Sequence, residues 1–325
     1  MHRTTEAQTF GDVVATSHDL STQAAMEILN VGGNAVDAAI AANAVLGVCE
    51  PQTCGVGGDL FALVYLPGSP EPIALNASGR AGAGANPGLI RRTGTEAIPW
   101  NHALTATVPG CVDGWEALSG RFGSLPLSQT LAPAIRVAEG GFPASTELAD
   151  ALGRRDAAFR AQPSSRAFFE SGEPRRGTRI RRPDLAKTLL GIAQGGRAAF
   201  YEGAPGEAIT EATGSLIVAT DLARRQSNWI DPLALDVFGR TAWTIPPNTQ
   251  GYLTLATAWI FEHLDPPSDP HDPAYVHAMI EAYRSLAWER DDLVADPDFA
   301  PLDPAELVST CLLYTSDAAD DSVYV

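Results

Sequence analysis

The most constraining feature of this sequence is a helical stretch, residues 35–46, whose residues are nearly all small or apolar on every side. Gly32 and Gly33 end a preceding helix that we predict over residues 22–31, and Asn34 is placed to cap the next one. A helix without a polar face packs within a core rather than on it. The chain therefore needs a large domain around this helix. Its 325 residues, 45% of them hydrophobic, suffice for one large domain or two modest ones.

The acidic charge of the chain excludes one class of partner. With 22 Lys and Arg against 39 Asp and Glu, the net charge is −17, and such a field repels a phosphate backbone. We therefore expect no nucleic-acid partner. The one basic cluster, between Arg175 and Arg182, is predicted to be a solvated loop. No run of about eighteen apolar residues occurs, so we expect no membrane span. Residues 1–10 contain no apolar signal-peptide core, which favours a cytoplasmic protein.

Metal and cofactor sites are not indicated by the sequence. The four cysteines are too few and too irregularly spaced for a disulfide scaffold or a zinc site. We interpret Cys49, Cys54, Cys111 and Cys311 as small buried hydrophobic residues. The six histidines show no metal-binding spacing. Lys187 is the only lysine, so a Schiff-base cofactor would have to attach to it. It lies in an ordinary helical pattern. We expect neither a metal nor a cofactor.

A glycine cluster, Gly55-Val56-Gly57-Gly58, precedes a predicted buried strand at residues 60–66. A dinucleotide site requires such glycines to open a helix, so we predict no nucleotide site here. The glycines are expected where the backbone passes close to another segment or takes a positive φ. After a Pro/Gly turn, residues 73–77 form the partner strand, and this hairpin delivers an arginine to the end of a sheet.

That arginine, Arg80, is the one candidate binding residue. It lies at the entry to a loop that contains Gly82 and Gly84, where a guanidinium can hold a carboxylate through two parallel hydrogen bonds. A structural salt bridge is the alternative, and the spacing alone leaves both open. No Gly-x-Ser-x-Gly elbow occurs, so a serine-triad hydrolase is not indicated.

The rest of the chain is predicted to be mostly helical. Apolar residues at three-and-four spacing predict helices over residues 130–139, 146–152 and 184–194. A two-residue period then predicts a second hairpin over residues 233–245, turning around Phe238-Gly239-Arg240. Two long helices, residues 250–264 and 273–294, come last.

The order of these motifs resembles the gamma-glutamyltransferase (gamma-glutamyltranspeptidase) family. The likeness covers about residues 13–309 and lies in co-linear segments that are more specific together than any one alone. These segments are VATSH (14–18), GGNAVDAA (32–39), GVGGDLF (55–61), NASGRA (76–81), VPGCVDGW (108–115), PPNTQG (246–251) and ADPDF (295–299).

The resemblance implies an α+β fold of the N-terminal-nucleophile hydrolase type, an αββα sandwich made as a precursor that cuts itself into a large and a small chain. A threonine heading the small chain then attacks a γ-glutamyl carbonyl, with its own α-amine as base. The implied substrate is a γ-glutamyl compound such as glutathione, whose acyl group passes to water or an amine. The implied partner is the small subunit. On this resemblance Arg80 matches the arginine that grips the α-carboxylate of the substrate.

The sequence departs from the family pattern at its end. The family's nucleophile lies in a Thr-Thr-His-like segment beyond the region equivalent to Ser309, and that segment is not present here. Thr310 and Thr315 are poor substitutes because neither is followed by a histidine. We therefore predict a large-subunit region over residues 1–309, a non-native tail over residues 310–325, an incomplete sandwich, and no catalytic residue or turnover in this chain alone.

Two other readings stay open. A related acylase of the same fold, of the cephalosporin or glutaryl type, would use the same scaffold on another amide. A non-enzymatic binding protein would use the chain without any reaction.

Overall fold

The computed structural model describes residues 11–92, 94, 98, 102–155, 157–288, 290–296, 298–300 and 302–309. The predicted tail, with Thr310 and Thr315, lies outside the described residues. The helices of the described part are α1 (Asp19–Asn30), α2 (Ala35–Cys49), α3 (Pro87–Arg92), α4 (Cys111–Phe122), α5 (Leu127–Thr130), α6 (Ala132–Gly140), α7 (Thr146–Gly153), α8 (Ala157–Ala161), α9 (Arg166–Phe169), α10 (Pro183–Tyr201), α11 (Ala204–Ala212), α12 (Ala219–Ala223), α13 (Gly251–His263), α14 (Pro273–Ala287) and α15 (Arg290–Leu293). The strands are β1 (Leu60–Val64), β2 (Ile73–Ala77), β3 (Phe142–Pro143), β4 (Arg179–Ile180), β5 (Asn228–Ile230), β6 (Leu233–Val237) and β7 (Arg240–Thr244). Short 3₁₀ helices lie at Ala103–Thr105, Pro163–Ser165 and Pro304–Val308.

The chain divides into two compact units, Met1–Leu60 with Ala77–Ser227 and Phe61–Asn76 with Asn228–Val325. The first unit is mainly helical and contains the short antiparallel pair β3–β4. The second contains a sheet of order β1-β2-β5 and the separate pair β6–β7. In the sheet, β2 runs antiparallel to β5 with Leu75 opposite Trp229. The predicted pairing of residues 60–66 with 73–77 is therefore confirmed.

Helix α2 is enclosed in the first unit, as its composition predicts. Ala41, Val45 and Val48 are fully buried. Its small side chains let α1 approach closely, so that Ser21 Oγ donates a hydrogen bond of 2.8 Å to the backbone carbonyl of Ala42. Such close approach explains why a stretch rich in alanine, rather than leucine, occupies this position.

The N-terminus of α2 is capped as predicted. Asn34 Oδ1 accepts the backbone N–H groups of Val36 at 2.9 Å and Asp37 at 3.1 Å. Asp37 Oδ2 in turn accepts the backbone N–H of Asn34 at 3.0 Å, which completes a reciprocal capping box. The cap thus satisfies N–H groups that a helix start leaves without partners.

The second unit contains the predicted hairpin in its predicted register. Val237 pairs with Arg240, which leaves Phe238 and Gly239 as a two-residue turn with φ angles of 50° and 69°. Two positive φ angles are the signature of a type I′ turn, whose twist matches that of the strands. Helix α13 packs against β6, and its buried side chains include Tyr252 and Ile260.

The burial predicted for β1 is wrong. The strand ends at Val64, and its residues alternate between half-buried and exposed, with Phe61 36% and Leu63 41% exposed. A short run of apolar residues carries no alternation in its letters, so its sequence cannot distinguish a strand covered on both faces from one covered on a single face.

Three helices have ends that differ from the predicted ones. Helix α10 continues to Tyr201 instead of ending at residue 194, but Gly196 has a non-helical φ of 58°, so the predicted end marks a kink. Helix α14 ends at Ala287, and the short α15 follows. The stretch predicted as one helix over residues 130–139 is divided at Leu131 into α5 and α6.

The prediction that the basic cluster between Arg175 and Arg182 is a solvated loop is wrong at one position, Arg182. Arg175, Arg176, Arg179 and Arg181 are exposed, whereas Arg182 is half-buried. Its Nη1 donates hydrogen bonds to two carbonyl oxygens in the last turn of α2. A cation is stabilised there because the carbonyl end of a helix carries partial negative charge, and this attraction explains why one arginine of the cluster is drawn inward.

Candidate functional site

The segment that carries Arg80 lies backbone against backbone on the entry to α4. Gly79 has a φ of 76°, and a side chain there would overlap the carbonyl oxygen of Val108. The N–H of Val108 donates a 2.9 Å hydrogen bond to the carbonyl of Arg80. Gly110 is equally close to the carbonyl of Ala77. Glycine is therefore required on both sides of this contact, at Gly79 and at Gly110. At Gly79 the left-handed φ is a second reason for glycine.

Gly82 and Gly84 let the loop after Arg80 pack closely against the segment before α12. Side chains at Gly82 and Gly84 would overlap backbone atoms of Leu216 and its neighbour. The N–H of Gly84 donates to the carbonyl of Leu216 at 3.0 Å, and the N–H of Ala83 donates to Asp221 Oδ2 at 2.9 Å. The loop after β2 is therefore fixed at both its start and its end.

Gly79→Ala is expected to destabilise the protein by about 2–5 kcal/mol, because it combines a left-handed φ with a steric overlap. The matched control is Gly68→Ala, since Gly68 has a similar φ of 79° but open space around it. That control should lose only about 1–2 kcal/mol. Urea unfolding of both variants measures the difference, and equal losses would contradict the close contact with Val108.

Arg80 is half-buried, and its backbone is held by a glutamine side chain. The N–H of Arg80 donates to Gln226 Oε1 at 3.3 Å. The Nε2 group of Gln226 donates to the carbonyls of Asp221 at 3.1 Å and Arg224 at 2.9 Å. All polar atoms of this amide are therefore used, which fixes its orientation and the backbone position of Arg80.

Behind Gln226 lies a carboxylate that is inaccessible to solvent. Asp113 is 0% exposed. Its Oδ1 accepts Arg197 Nε at 2.9 Å, and its Oδ2 accepts the backbone N–H groups of Gln226 at 2.5 Å and Ser227 at 2.8 Å. Arg197 is itself about 10% exposed at its side chain. A buried carboxylate is tolerated only when charge and hydrogen bonds both compensate it, as they do here.

A tyrosine completes this network. Tyr201 Oη donates to the carbonyl of Pro109 at 2.7 Å and accepts the backbone N–H of Asp113 at 3.2 Å. The Arg197 guanidinium lies 4.6 Å from the centre of the Tyr201 ring. Burial raises the pKa of the Tyr201 phenol above its ordinary value, so it remains a neutral hydrogen-bonding group.

The sequence alone does not predict this buried network. Asp113 falls within a segment that carries the family resemblance, VPGCVDGW, but Arg197 lies 84 positions further along the chain. The only available signal was an acidic residue among apolar neighbours at the start of a predicted helix.

The glycine cluster before β1 supports the same region through its backbone. The carbonyl of Gly58 accepts the N–H groups of Gly110 at 2.9 Å and Cys111 at 3.0 Å. A side chain on Gly47 would come within 3.2 Å of Gly55. Side chains at Gly55 and Gly57 themselves would meet no atom within 4 Å. The prediction that close backbone approach requires these glycines is therefore confirmed only in part, and the cluster precedes a strand as expected.

The cysteines follow the prediction in part. Cys49 and Cys111 are buried, and burial raises the pKa of the Cys49 thiol to about 12. Cys54 is only half-buried, so its predicted burial is wrong, and Cys311 lies outside the described residues. Within the described ranges, no group of three or more His, Cys, Asp or Glu side chains is placed to hold a metal ion. None of the helices described here is long and apolar enough to cross a membrane.

Comparison with known proteins decides the family. The sequence profile described as gamma-glutamyltranspeptidase matches residues 21–316. This chain belongs to the gamma-glutamyltranspeptidase family. The resemblance inferred from the motifs is therefore confirmed.

Curated gamma-glutamyltranspeptidase relatives cover nearly all of the chain. The glutathione hydrolase-like YwrD proenzyme of Bacillus subtilis is 34% identical over 297 residues, which is 89% of this chain and 56% of the relative. The oxamate amidohydrolase proenzyme of Klebsiella pneumoniae is 36% identical over 336 residues, 99% of this chain and 62% of the relative. The chain thus spans less than two thirds of the length of these relatives.

Solved structures agree with the family fold. The gamma-glutamyltranspeptidase of Helicobacter pylori matches with a TM-score of 0.88 and 28% identity over 96% of this chain and 93% of that chain. The cephalosporin acylase of Bacillus halodurans matches with a TM-score of 0.84 and 31% identity over 98% of this chain and 62% of that chain. The α+β fold of the N-terminal-nucleophile hydrolase type is therefore confirmed.

Proposed function

We propose that this chain forms the large-subunit part of a gamma-glutamyltranspeptidase-type enzyme that cleaves an amide bond in a substrate bearing a carboxylate. In this proposal a small subunit from the same precursor supplies the nucleophile, and the chain alone has no activity. The favoured substrates are γ-glutamyl compounds such as glutathione, whose γ-glutamyl group passes to water or an amine. The proenzyme relatives, which extend beyond the matched region, support a precursor of this kind.

The observation that carries this proposal is the anchoring of Arg80. Its backbone is fixed by Val108 and Gln226, while its side chain is only half-buried. Because the backbone is already fixed, binding of a carboxylate does not carry the entropy cost of ordering the loop, and the planar fork of the guanidinium gives two parallel hydrogen bonds. We propose that Arg80 holds the substrate carboxylate while the amide is presented to the nucleophile.

A second substrate is favoured by one specific observation. The Klebsiella relative, whose name is oxamate amidohydrolase, matches 99% of this chain. In oxamate the carboxylate is one bond from the amide carbon, whereas in a γ-glutamyl compound four bonds separate the two carbons. If Arg80 holds the carboxylate, the distance from Arg80 to the nucleophile must match the distance from the carboxylate to the amide carbon. One position of the nucleophile therefore suits only one of the two substrates. A non-enzymatic binding role receives no support from relatives named as hydrolases.

The deciding experiment uses the protein expressed from its intact gene. Mass spectrometry first establishes whether the product is cut into two chains. The mature protein is then assayed with γ-glutamyl-p-nitroanilide, followed by p-nitroaniline release, and with oxamate, followed by ammonia release. We expect cleavage into two chains and turnover of the γ-glutamyl compound. Turnover of oxamate alone would favour the second substrate, and turnover of neither would reject both.

A further inference from the structure

The loop that carries Arg80 has little stiffness of its own. It contains glycines at positions 79, 82 and 84, and glycine restricts the backbone less than any other residue. The orientation of the peptide plane between Gly79 and Arg80 helps to set the direction in which the Arg80 side chain leaves the backbone. Because a glycine precedes this plane, local sterics leave its orientation open. Contacts from elsewhere in the fold must therefore orient Arg80.

The N–H group of this peptide plane is held by a side chain. It donates to Gln226 Oε1 at 3.3 Å. The bond on the other side of Arg80, from the Val108 N–H to the Arg80 carbonyl, is formed by backbone alone. Any residue except proline at position 108 supplies that N–H. Of these two bonds, only the one to Gln226 depends on the identity of a side chain.

Gln226 is itself held firmly. It is 4% exposed, and its Nε2 group donates to the carbonyls of Asp221 and Arg224. Its backbone N–H donates to the buried carboxylate of Asp113. Arg197, which pairs with the same carboxylate, donates through Nη2 to the Arg224 carbonyl at 2.5 Å. Gln226 is therefore fixed both at its backbone and at its side chain.

The contacts of Gln226 require an amide side chain. One group must accept the Arg80 N–H while its neighbour donates to two carbonyls. Only asparagine and glutamine carry a carbonyl oxygen beside an NH₂ group with two donors. A glutamate would keep the acceptor, but its ionised form has no donor. Its second oxygen would then face carbonyl oxygens without a hydrogen between them.

We propose that Gln226 is a positioning residue for substrate recognition, which acts through Arg80 without contacting the substrate. The inference rests on the proposed function, in which Arg80 holds the substrate carboxylate. By orienting the peptide between Gly79 and Arg80, Gln226 places the guanidinium where that carboxylate binds. A misplacement of about 1 Å can cost about a hundredfold in rate. Substrates without a carboxylate make no use of this placement.

Gln226→Met tests this inference in the mature protein expressed from the intact gene. Methionine keeps the length of the side chain but has neither the carbonyl acceptor nor the donors. We expect kcat/KM for γ-glutamyl-p-nitroanilide to fall about ten- to fiftyfold. 4-Aminobutanoyl-p-nitroanilide, which lacks the α-carboxylate, should be cleaved at the wild-type rate. In an Arg80→Gln background, Gln226→Met should change kcat/KM less than about twofold, because its effect passes through Arg80.

Ser165→Ala is the control for the loss of a buried polar side chain. Ser165 is buried in the same unit, and its hydroxyl donates to the carbonyls of Phe159 at 2.7 Å and Gln162 at 2.8 Å. Its replacement should leave kcat/KM for both anilides unchanged. A loss that occurs in Gln226→Met and not in Ser165→Ala therefore reports on the position of Arg80.

Gln226→Glu provides a second test that remains if Gln226→Met does not fold. A protonated glutamate has an O–H donor beside its carbonyl acceptor, and burial favours this neutral form. The kcat/KM of Gln226→Glu for γ-glutamyl-p-nitroanilide, relative to wild type at the same pH, should therefore rise as the pH falls from about 9 to about 6. The same ratio for 4-aminobutanoyl-p-nitroanilide should stay constant.

The outcomes separate this inference from the proposed function. Equal losses on both anilides, wild-type activity in Gln226→Met, or its full loss repeated in the Arg80→Gln background would overturn the positioning role while Arg80 still binds the carboxylate. A ratio for Gln226→Glu that does not change with pH would also overturn it. No turnover of the γ-glutamyl anilide by the wild type, or no loss in Arg80→Gln, would reject the proposed function and this inference with it.

Discussion

Arg80→Gln should lower kcat/KM for γ-glutamyl-p-nitroanilide by about 10²–10³ in the mature intact enzyme. Glutamine retains part of the side-chain length but loses the positive charge and the planar fork. Two charge-assisted hydrogen bonds to a carboxylate are together worth about 3–4 kcal/mol, which corresponds to this loss of rate. Arg80→Lys keeps the charge without the fork, so we expect an intermediate loss.

The control for this prediction is a substrate without the carboxylate. In 4-aminobutanoyl-p-nitroanilide the α-carboxylate is absent, so wild type and Arg80→Gln should cleave it at similar rates. Arg91→Gln, which alters an exposed arginine of α3, should change neither reaction. If Arg80→Gln slowed both substrates equally, Arg80 would have a structural role and not a substrate-binding one.

Asp113→Ala should destabilise the protein by about 3–5 kcal/mol, a large part of the roughly 5–15 kcal/mol that stabilises a typical domain. The change leaves the Arg197 guanidinium, about 10% exposed at its side chain, with the more distant Glu202 carboxylate at 3.9 Å as an ionic partner. It also removes the acceptor for the N–H groups of Gln226 and Ser227. Urea unfolding, followed by circular dichroism, measures the loss.

An exposed aspartate gives the matched comparison. Asp184 pairs with Lys187 at 3.1 Å, but the two side chains are 93% and 78% exposed. Surface ion pairs of this kind contribute little to stability, so Asp184→Ala should leave the unfolding midpoint unchanged. Similar midpoints for the Asp113 and Asp184 variants would contradict the buried network beneath Arg80.

Local features of the fold could be predicted from sequence because their causes are local. The enclosed helix α2 follows from a run of small residues behind the capping residue Asn34. The hairpin β6–β7 follows from strand alternation around Phe238 and Gly239, whose φ angles set the turn. In both cases neighbouring residues contain the whole signal.

The candidate site could be predicted only in part because its contacts are long-range. The sequence located Arg80 after a strand, but not its support by Gln226, which lies 146 positions away. The pairing of Asp113 with Arg197 likewise leaves no periodic pattern. Arg182 illustrates the same limit, since its burial depends on α2 carbonyls 134 and 135 positions earlier. Pairings across such distances are set by tertiary packing rather than by spacing.

The most direct test of the account is a crystal structure of the intact mature protein with bound L-glutamate. If Arg80 holds the substrate carboxylate, both α-carboxylate oxygens of the glutamate lie about 3 Å from nitrogen atoms of the Arg80 guanidinium. The backbone of Arg80 is then still held by Gln226. Glutamate bound with its α-carboxylate on other residues, and the Arg80 guanidinium paired with a protein carboxylate, would contradict it.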